Sequence, residues 1–294
     1  MGLGDFFKNI FGKKTCAFCG QECGMMNRTK IKGDEFICGK CDDGCSKYIR
    51  KGRFTKSELE GHMEYMKRSD RIYKEIIAPS NEEKYRLPSA NSAQGIEFYD
   101  SFGMFRIIDR DRDTKENFPV ELFRYDTVAA WEPYLEEDAP SEPGKEKVFK
   151  ECGIKLTFVG ALDNMNELQK GLKAHPYILE PIKICFTKRA NEKKQMLQYV
   201  ENAIFHFNKI FGVNDDVNGL FSFGMNKKEK RDLMGAIGFA KTAAEAVKVA
   251  KNGGEITEEQ QAEIKKNMNA MEDAHTGGLA VYIRAADAAE AKIN

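Results

Sequence analysis

Four cysteines near the N-terminus have the spacing in this sequence that points most directly to chemistry. They form two Cys-x-x-Cys pairs, Cys16 with Cys19 and Cys38 with Cys41, separated by 18 residues. Two residues between cysteines let both sulfur atoms of a turn face one ion, and two such turns complete a tetrahedral thiolate site. The sequence therefore predicts one zinc ion bound by Cys16, Cys19, Cys38 and Cys41.

The predicted zinc site is structural, because all four ligands come from the protein and no coordination position remains for water or a substrate. A segment of this length buries too little apolar surface to fold unaided. Metal binding, worth on the order of 10 kcal/mol in comparable small sites, would supply much of its stability. Gly20 and Gly39 suit the tight turns of the two pairs.

Two further cysteines, Cys23 and Cys45, each lie four residues after the second cysteine of a pair. They suit the role of small buried apolar residues. Ligand exchange with the first four cysteines, a second metal and a redox pair stay open as alternatives.

The composition describes a globular protein of several domains without a strong net charge. The chain has 294 residues, 41% of them hydrophobic, and its 46 basic residues equal its 46 acidic ones. The whole molecule therefore has no field that would draw it onto nucleic acid or anionic lipid. The N-terminal residues lack a basic secretory n-region, and no stretch approaches the ~20 apolar residues of a membrane span. We expect a cytoplasmic protein with reduced thiols.

The elements around the cysteines begin with an amphipathic segment over residues 1–14, whose apolar residues at 3–11 follow helical spacing. The zinc ribbon covers residues 15–50, and a helix and linker cover 54–94. Thr55 and Glu58 predict a capping box at the start of that helix, which would end near Ile77. Residues 81–94 show no period and are predicted to be the linker.

An α+β domain is predicted over residues 95–212. Alternating apolar residues indicate antiparallel strands around residues 96–98, 105–107, 120–122, 128–134, 154–158 and 182–186. The period then changes to 3.6 over residues 196–211, which indicates a long amphipathic helix. The fold class is thus α+β and multidomain, with antiparallel strands closed by one helix.

A helical C-terminal region is predicted over residues 225–294. Leu233, Ile237, Ala240, Ala244 and Val247 form a narrow stripe beside small residues. Small residues allow close helix approach, so the stripe predicts a helical hairpin or a self-association surface.

One longer motif spans about residues 15 to 65: TCAFCGQECGMMNRTKIKGDEFICGKC, followed by FTKSELEGHM. It resembles a family of bacterial N-terminal zinc-ribbon domains of unknown function, which implies Cys16, Cys19, Cys38 and Cys41 as zinc ligands. The strands that end in the long helix resemble a pleckstrin-homology-like domain, on the order of elements and the phrase LFRYDTVAAWEPY. This second resemblance implies a binding module and no catalytic residue.

Catalytic motifs are not evident in the sequence. Asp109, Asp111 and Asp113 imitate the opening of a calcium loop, yet Thr114 and Val120 stand where Gly and Glu are needed. The four histidines, at positions 62, 175, 206 and 275, belong to no helical zinc motif. We expect no enzyme.

The leading functional expectation is a non-enzymatic adaptor or scaffold that binds an unknown protein partner. The amphipathic residues 3–11 suggest peripheral membrane contact. The alternative is nucleic-acid binding by the basic residues around the cysteine pairs, and an enzyme with an unrecognised site comes third. The basic residues are Arg28, Lys30, Lys32, Lys47, Arg50, Lys51 and Arg53.

Overall fold

The computed structural model describes residues 12–88, 94–113, 118–139, 147–159, 172–211 and 279–293. The chain divides into two compact units. The cysteine unit comprises Met1–Ala78 and Arg112–Glu121, and the sheet unit comprises Pro79–Asp111 and Leu122–Asn294. The predicted mixture of helices with antiparallel sheets is confirmed.

The cysteine unit begins with two small antiparallel hairpins. Strand β1 (Lys14–Thr15) pairs with β2 (Glu22–Cys23), and β3 (Arg28–Lys30) pairs with β4 (Phe36–Cys38). The short helix α1 (Gly39–Asp43) follows β4 directly. Strands of two or three residues are marginal by themselves, so other contacts must hold these hairpins.

Helix α2 (Lys56–Ile72) follows these hairpins and α1 in the cysteine unit. The predicted capping box is confirmed: Thr55 accepts from the Glu58 backbone N–H, and the Glu58 carboxylate accepts from the Thr55 N–H at 2.7 Å. The helix continues as a π-helical turn, Tyr73–Ile77, where the sequence predicted its end. Its buried face carries Leu59, His62, Met66, Ser69 and Ile72.

A four-stranded antiparallel sheet opens the sheet unit, in the order β5-β6-β7-β8. Its strands are β5 (Tyr85–Leu87), β6 (Gln94–Tyr99), β7 (Met104–Asp109) and β8 (Phe123–Arg124). A helical turn, α3 (Arg110–Asp113), follows β7.

Two details of this sheet differ from the prediction. Residues 85–87 were assigned to a linker, but they pair with β6 as an edge strand too short to show a period. The strand expected at residues 120–122 begins instead at Phe123, because the Val120 N–H donates to the Asp70 carboxylate of α2 and not to a neighbouring strand.

A three-stranded antiparallel sheet follows, with β10 between β11 and β9. The strands are β9 (Val128–Asp138), β10 (Val148–Phe158) and β11 (Ile182–Thr187), at the positions that the alternating pattern predicted. Helix α4 (Lys193–Phe211) packs on this sheet with its apolar stripe inward, which confirms the predicted long helix.

Aromatic rings fill the interior of the sheet unit. The Phe207 ring meets the Phe105 ring edge-on, with centroids 5.6 Å apart, and stacks on Trp131 at 5.7 Å. Trp131 also donates its indole N–H to Asn208 at 2.9 Å, which fixes the ring against α4. Offset and edge-on pairs of this kind add about 0.5–1.5 kcal/mol each beyond the burial of their area.

Helix α5 (Leu279–Ala291) lies much later in the chain than α4 and also belongs to the sheet unit. The buried guanidinium of Arg124 pairs with Asp126, two residues further along the chain, and with Asp287 of α5 at 2.7 Å. The backbone also approaches closely, because a Cβ at Gly103 would lie 1.9 Å from the Tyr282 carbonyl oxygen. Gly103 has φ +60°, so a glycine suits both the space and the backbone there.

Two predicted regions lie outside the described residues. They are the amphipathic residues 3–11 and the C-terminal stripe between Leu233 and Val247. Among the helices of the described ranges, none combines the length and the apolar character that crossing a membrane requires.

Candidate metal centre

The two hairpins bring the four predicted ligands to one place. Cys16 directly follows β1, and Cys38 is the last residue of β4, so the hairpin strands deliver one sulfur of each pair. The backbone N–H of Ala17 donates to the Phe36 carbonyl at 2.8 Å, which ties the first turn to β4. The first pair ends in a tight turn at Gly20, whose φ of +72° favours glycine.

The four sulfur atoms of Cys16, Cys19, Cys38 and Cys41 all lie within 4.8 Å of one another. The Cys19 and Cys38 sulfurs are 3.7 Å apart. Cys16 and Cys38 are buried, Cys41 is half-buried and Cys19 is exposed. Such a group could hold a metal ion. Within the ranges that the structure describes, no other group of His, Cys, Asp and Glu is arranged in this way.

Backbone N–H groups stabilise negative charge on a sulfur atom of the site. The N–H of Cys38 donates to the Cys16 sulfur at 3.3 Å. Burial opposes ionisation of Cys16, but hydrogen bonds from the backbone of Cys19 and Cys38 outweigh it and lower the pKa of the thiol to about 6. Backbone donors aimed at a sulfur stabilise the thiolate, which is the form that binds metal.

Cys41 shows why the four sulfurs need a cation. Burial raises the pKa of its thiol, and hydrogen bonds to the sulfurs of Cys38 and Cys19 raise it further. Like charges this close disfavour one another, so full ionisation of all four cysteines requires a positive ion among them.

Cys23 and Cys45 are both buried, and the groups around them differ. The Cys23 thiol donates to the Lys14 carbonyl at 3.1 Å, and burial together with the charges of Cys16 and Cys38 raises its pKa. Burial raises the pKa of Cys45 to about 11, in surroundings formed by Lys51, Asp42 and Arg112. Both cysteines pack as small buried residues, and neither belongs to the group of four.

The structure also contains a buried polar cluster that the sequence did not predict. Ser46 donates its hydroxyl to Glu121 at 2.7 Å, and its backbone N–H donates to His62 Nε2 at 3.0 Å. Glu121 comes from the segment 118–121, which belongs to the cysteine unit although it lies later in the chain. No spacing rule links residues 46 and 121, so only the tertiary structure reveals the pair.

Two other predicted features take structural roles. Asp109 accepts a hydrogen bond from the Asp111 backbone N–H at 3.0 Å, which caps the turn α3. His206, one of the four histidines outside any zinc motif, is buried against the Phe98 ring and contacts the Asp100 carboxylate at 3.0 Å.

Residues 15–62 match the model of a protein family described as Domain of unknown function (DUF4428). The matched range contains all four clustered cysteines and the first part of α2. No curated protein and no solved structure matches the chain.

Proposed function

We propose that this protein is a non-enzymatic adaptor, in which a zinc ribbon and a pleckstrin-homology-like domain present surfaces to a protein partner. The observation that carries the proposal is the closed group of four cysteine sulfurs. A metal ion held by four protein ligands keeps no position for water or a substrate, so its role is to hold a surface in shape.

Zinc is the metal that suits this group best. Zinc–sulfur bonds of about 2.3 Å in a tetrahedron separate the sulfurs by roughly 3.8 Å, and the Cys19 and Cys38 sulfurs are 3.7 Å apart. Four thiolates favour zinc over hard cations such as Mg²⁺ or Ca²⁺, which prefer oxygen ligands.

The order of elements in the sheet unit supports the second half of the proposal. Four antiparallel strands are followed by three more and then by the long helix α4. This order resembles that of pleckstrin-homology-like domains, which serve as binding modules and need no catalytic residue.

The turn between β2 and β3 offers a surface for a partner. Met25 and Met26 lie on this turn with 45% and 98% of their surfaces exposed. Two adjacent exposed methionines on this turn of the cysteine unit form an apolar surface that a partner could cover, and the flexible thioether adapts to varied surfaces.

The test is affinity capture from the native cell with the full-length, zinc-loaded chain as bait. We expect the wild-type chain to capture a partner that Met26→Glu loses. Val148→Glu is the matched control, because Val148 is also apolar and 56% exposed but belongs to the sheet unit. A partner retained equally by both variants would contradict the role of the turn. Substrate turnover by the purified chain, lost on a substitution outside the cysteines, would overturn the adaptor.

Nucleic-acid binding is the second candidate, and the basic residues support it only in part. Lys30 pairs with Asp34 at 2.6 Å, and Lys51 pairs with Asp42 at 2.9 Å. Lys32, Arg50 and Arg53 are exposed and could contact phosphates. Phosphate contacts make affinity fall steeply with salt, so failure to shift DNA or RNA at low salt would remove this candidate.

Membrane contact through residues 3–11 is a separate part of the proposal. Liposome flotation of the full chain, compared with a chain lacking residues 2–12, tests it. We expect the shortened chain to float less, because it lacks the apolar face with its neighbouring lysines. Equal flotation of the two forms would dismiss membrane contact by this segment.

A further inference from the structure

A carboxyl group is enclosed where the segment 118–121 packs in the cysteine unit. Glu121 is 9% exposed, and its Oε2 atom accepts the hydrogen bond from the buried Ser46 hydroxyl. Its Oε1 atom has no hydrogen-bond partner within the described ranges. An ionised carboxylate seeks several donors, and leaving it buried with only one is energetically costly.

The polar groups near the Ser46–Glu121 hydrogen bond, from helix α2 and from the loop after α1, are neutral. His62 Nε2 accepts the Ser46 backbone N–H, so this nitrogen carries no proton. Burial and the nearby charge of Lys51 lower the pKa of His62 to about 4, which keeps the ring uncharged at neutral pH. Burial and the charge of Glu121 raise the pKa of Tyr48, so its phenol stays protonated, and the pKa of the neighbouring Cys45 thiol is raised as well.

The cations near Glu121 contact other groups. The Arg112 guanidinium donates to the Cys45 carbonyl at 3.1 Å and to the Asp43 carbonyl at 3.3 Å. Lys51 pairs with Asp42, and the Lys47 ammonium lies over the Tyr48 ring at 5.0 Å. Burial raises the pKa of the Glu121 carboxyl to about 7, although Ser46 and these cations act to lower it.

We propose that Glu121 is a proton-linked latch, which holds the segment 118–121 in the cysteine unit when its carboxyl is protonated. Loss of the proton places a charge in the enclosed position and weakens the docking of the segment. This inference is independent of the adaptor proposal.

The direction of the pH effect follows from linkage. The folded-state pKa of Glu121 lies above the value of 4.5 for an unperturbed carboxyl. The stabilisation is therefore complete below the unfolded-state pKa and is lost as the pH rises through the folded-state pKa. The range in which docking weakens thus runs from about pH 5 to about pH 7.

Amide hydrogen exchange of the full-length, zinc-loaded chain tests the latch. The Val120 N–H is the reporter, because it donates to the Asp70 carboxylate at 3.0 Å and marks docking of the segment. After correction for intrinsic exchange, we expect wild-type protection to fall by up to ~10-fold per pH unit over this range. In Glu121→Gln, the protection of the Val120 N–H should not change with pH, whereas the exposed control Glu60→Gln should follow the wild type.

A second variant covers the case in which Glu121→Gln does not fold. Ser46→Ala removes the hydroxyl that donates to the carboxylate and lowers its pKa, so the folded-state pKa should rise and the fall in protection should extend to higher pH. Wild-type protection that does not change with pH, or an unchanged midpoint in Ser46→Ala, would overturn the proposal.

Discussion

The cysteine unit gathers its short strands around four sulfur atoms, whereas the sheet unit fills its interior with aromatic rings. The hairpin strands of the first unit are two or three residues long, and their buried side chains are Cys23, Ile37 and Cys38. The second unit has strands of up to eleven residues and a fully buried group of phenylalanines. The first unit should therefore depend on metal, and the second should fold by burial of apolar surface.

The position of the single tryptophan makes the comparison measurable. Trp131 lies in β9 and stacks on Phe211 of α4 at 4.5 Å. Its fluorescence reports the sheet unit alone, while bound zinc and amide protection over residues 14–54 report the cysteine unit. Each substitution below should therefore move one signal and leave the other unchanged.

Replacing a cysteine of the cluster should have the largest effect. We expect Cys38→Ser to remove most of a metal-binding free energy on the order of 10 kcal/mol, and with it the protection of both hairpins. Zinc content per chain and amide exchange measure the result.

The controls for this variant are the other cysteines. Cys185 lies in β11, and we expect the Cys185→Ser variant to retain one zinc ion per chain. Cys23→Ser should also retain it, because Cys23 is not in the group of four. Loss of zinc from Cys23→Ser would show that Cys23 is a ligand.

Removing an aromatic ring should have the next largest effect, on the opposite unit. Phe207 is fully buried between Phe105 and Trp131. Phe207→Ala should lower the free energy of unfolding of the sheet unit by about 3–5 kcal/mol, because it removes apolar contacts and leaves a cavity. Denaturant unfolding followed by Trp131 fluorescence measures this loss. A change in zinc affinity in the same variant would contradict the independence of the units.

Removing the cap of α2 should have a smaller effect on the cysteine unit. Thr55→Ala deletes the side-chain acceptor of the Glu58 N–H and should destabilise the helix by about 1 kcal/mol. Ser57→Ala, on an exposed position of the first turn, is the matched control and should be nearly silent. Amide exchange of α2 distinguishes the two variants.

Acid should have the smallest effect, on the sheet unit. Burial opposes ionisation of Asp100, but hydrogen bonds from His206 and Tyr125 outweigh it and lower its pKa. The stability that Asp100 contributes is thus present above its unfolded-state pKa and is lost as the pH falls through its folded-state pKa.

Trp131 fluorescence should therefore show a lower denaturant midpoint as the pH falls below about 4. Asp100→Asn should weaken this dependence, while the exposed Asp138→Asn should preserve it. Identical pH dependence in the wild type and Asp100→Asn would contradict the role of Asp100.

Local patterns were enough to predict one part of this structure. The spacing of the cysteine pairs predicted which four sulfurs come together, and the Thr55 cap and the alternation in β6, β10 and β11 predicted their elements. Each of these features is set by residues within a few positions of one another. The same reasoning found α4, whose apolar stripe spans five turns.

Features set by distant residues could not be predicted in this way. β5 is a strand because β6 lies beside it, not because residues 85–87 alternate. The bond from Ser46 to Glu121 spans 75 positions, and the bond from Arg124 to Asp287 spans 163. Only the folded chain brings such residues together, so their sequence gives no periodic signal.

Removal of zinc from the full-length chain tests the central claim most directly. Amide exchange should be measured on the zinc-loaded chain and again after a strong chelator has taken the metal. We predict that protection disappears from residues 14–54 and remains in β6, β7, β9, β10 and α4. Equal protection of residues 14–54 with and without zinc would contradict the claim that the four cysteines hold the first unit through a structural metal.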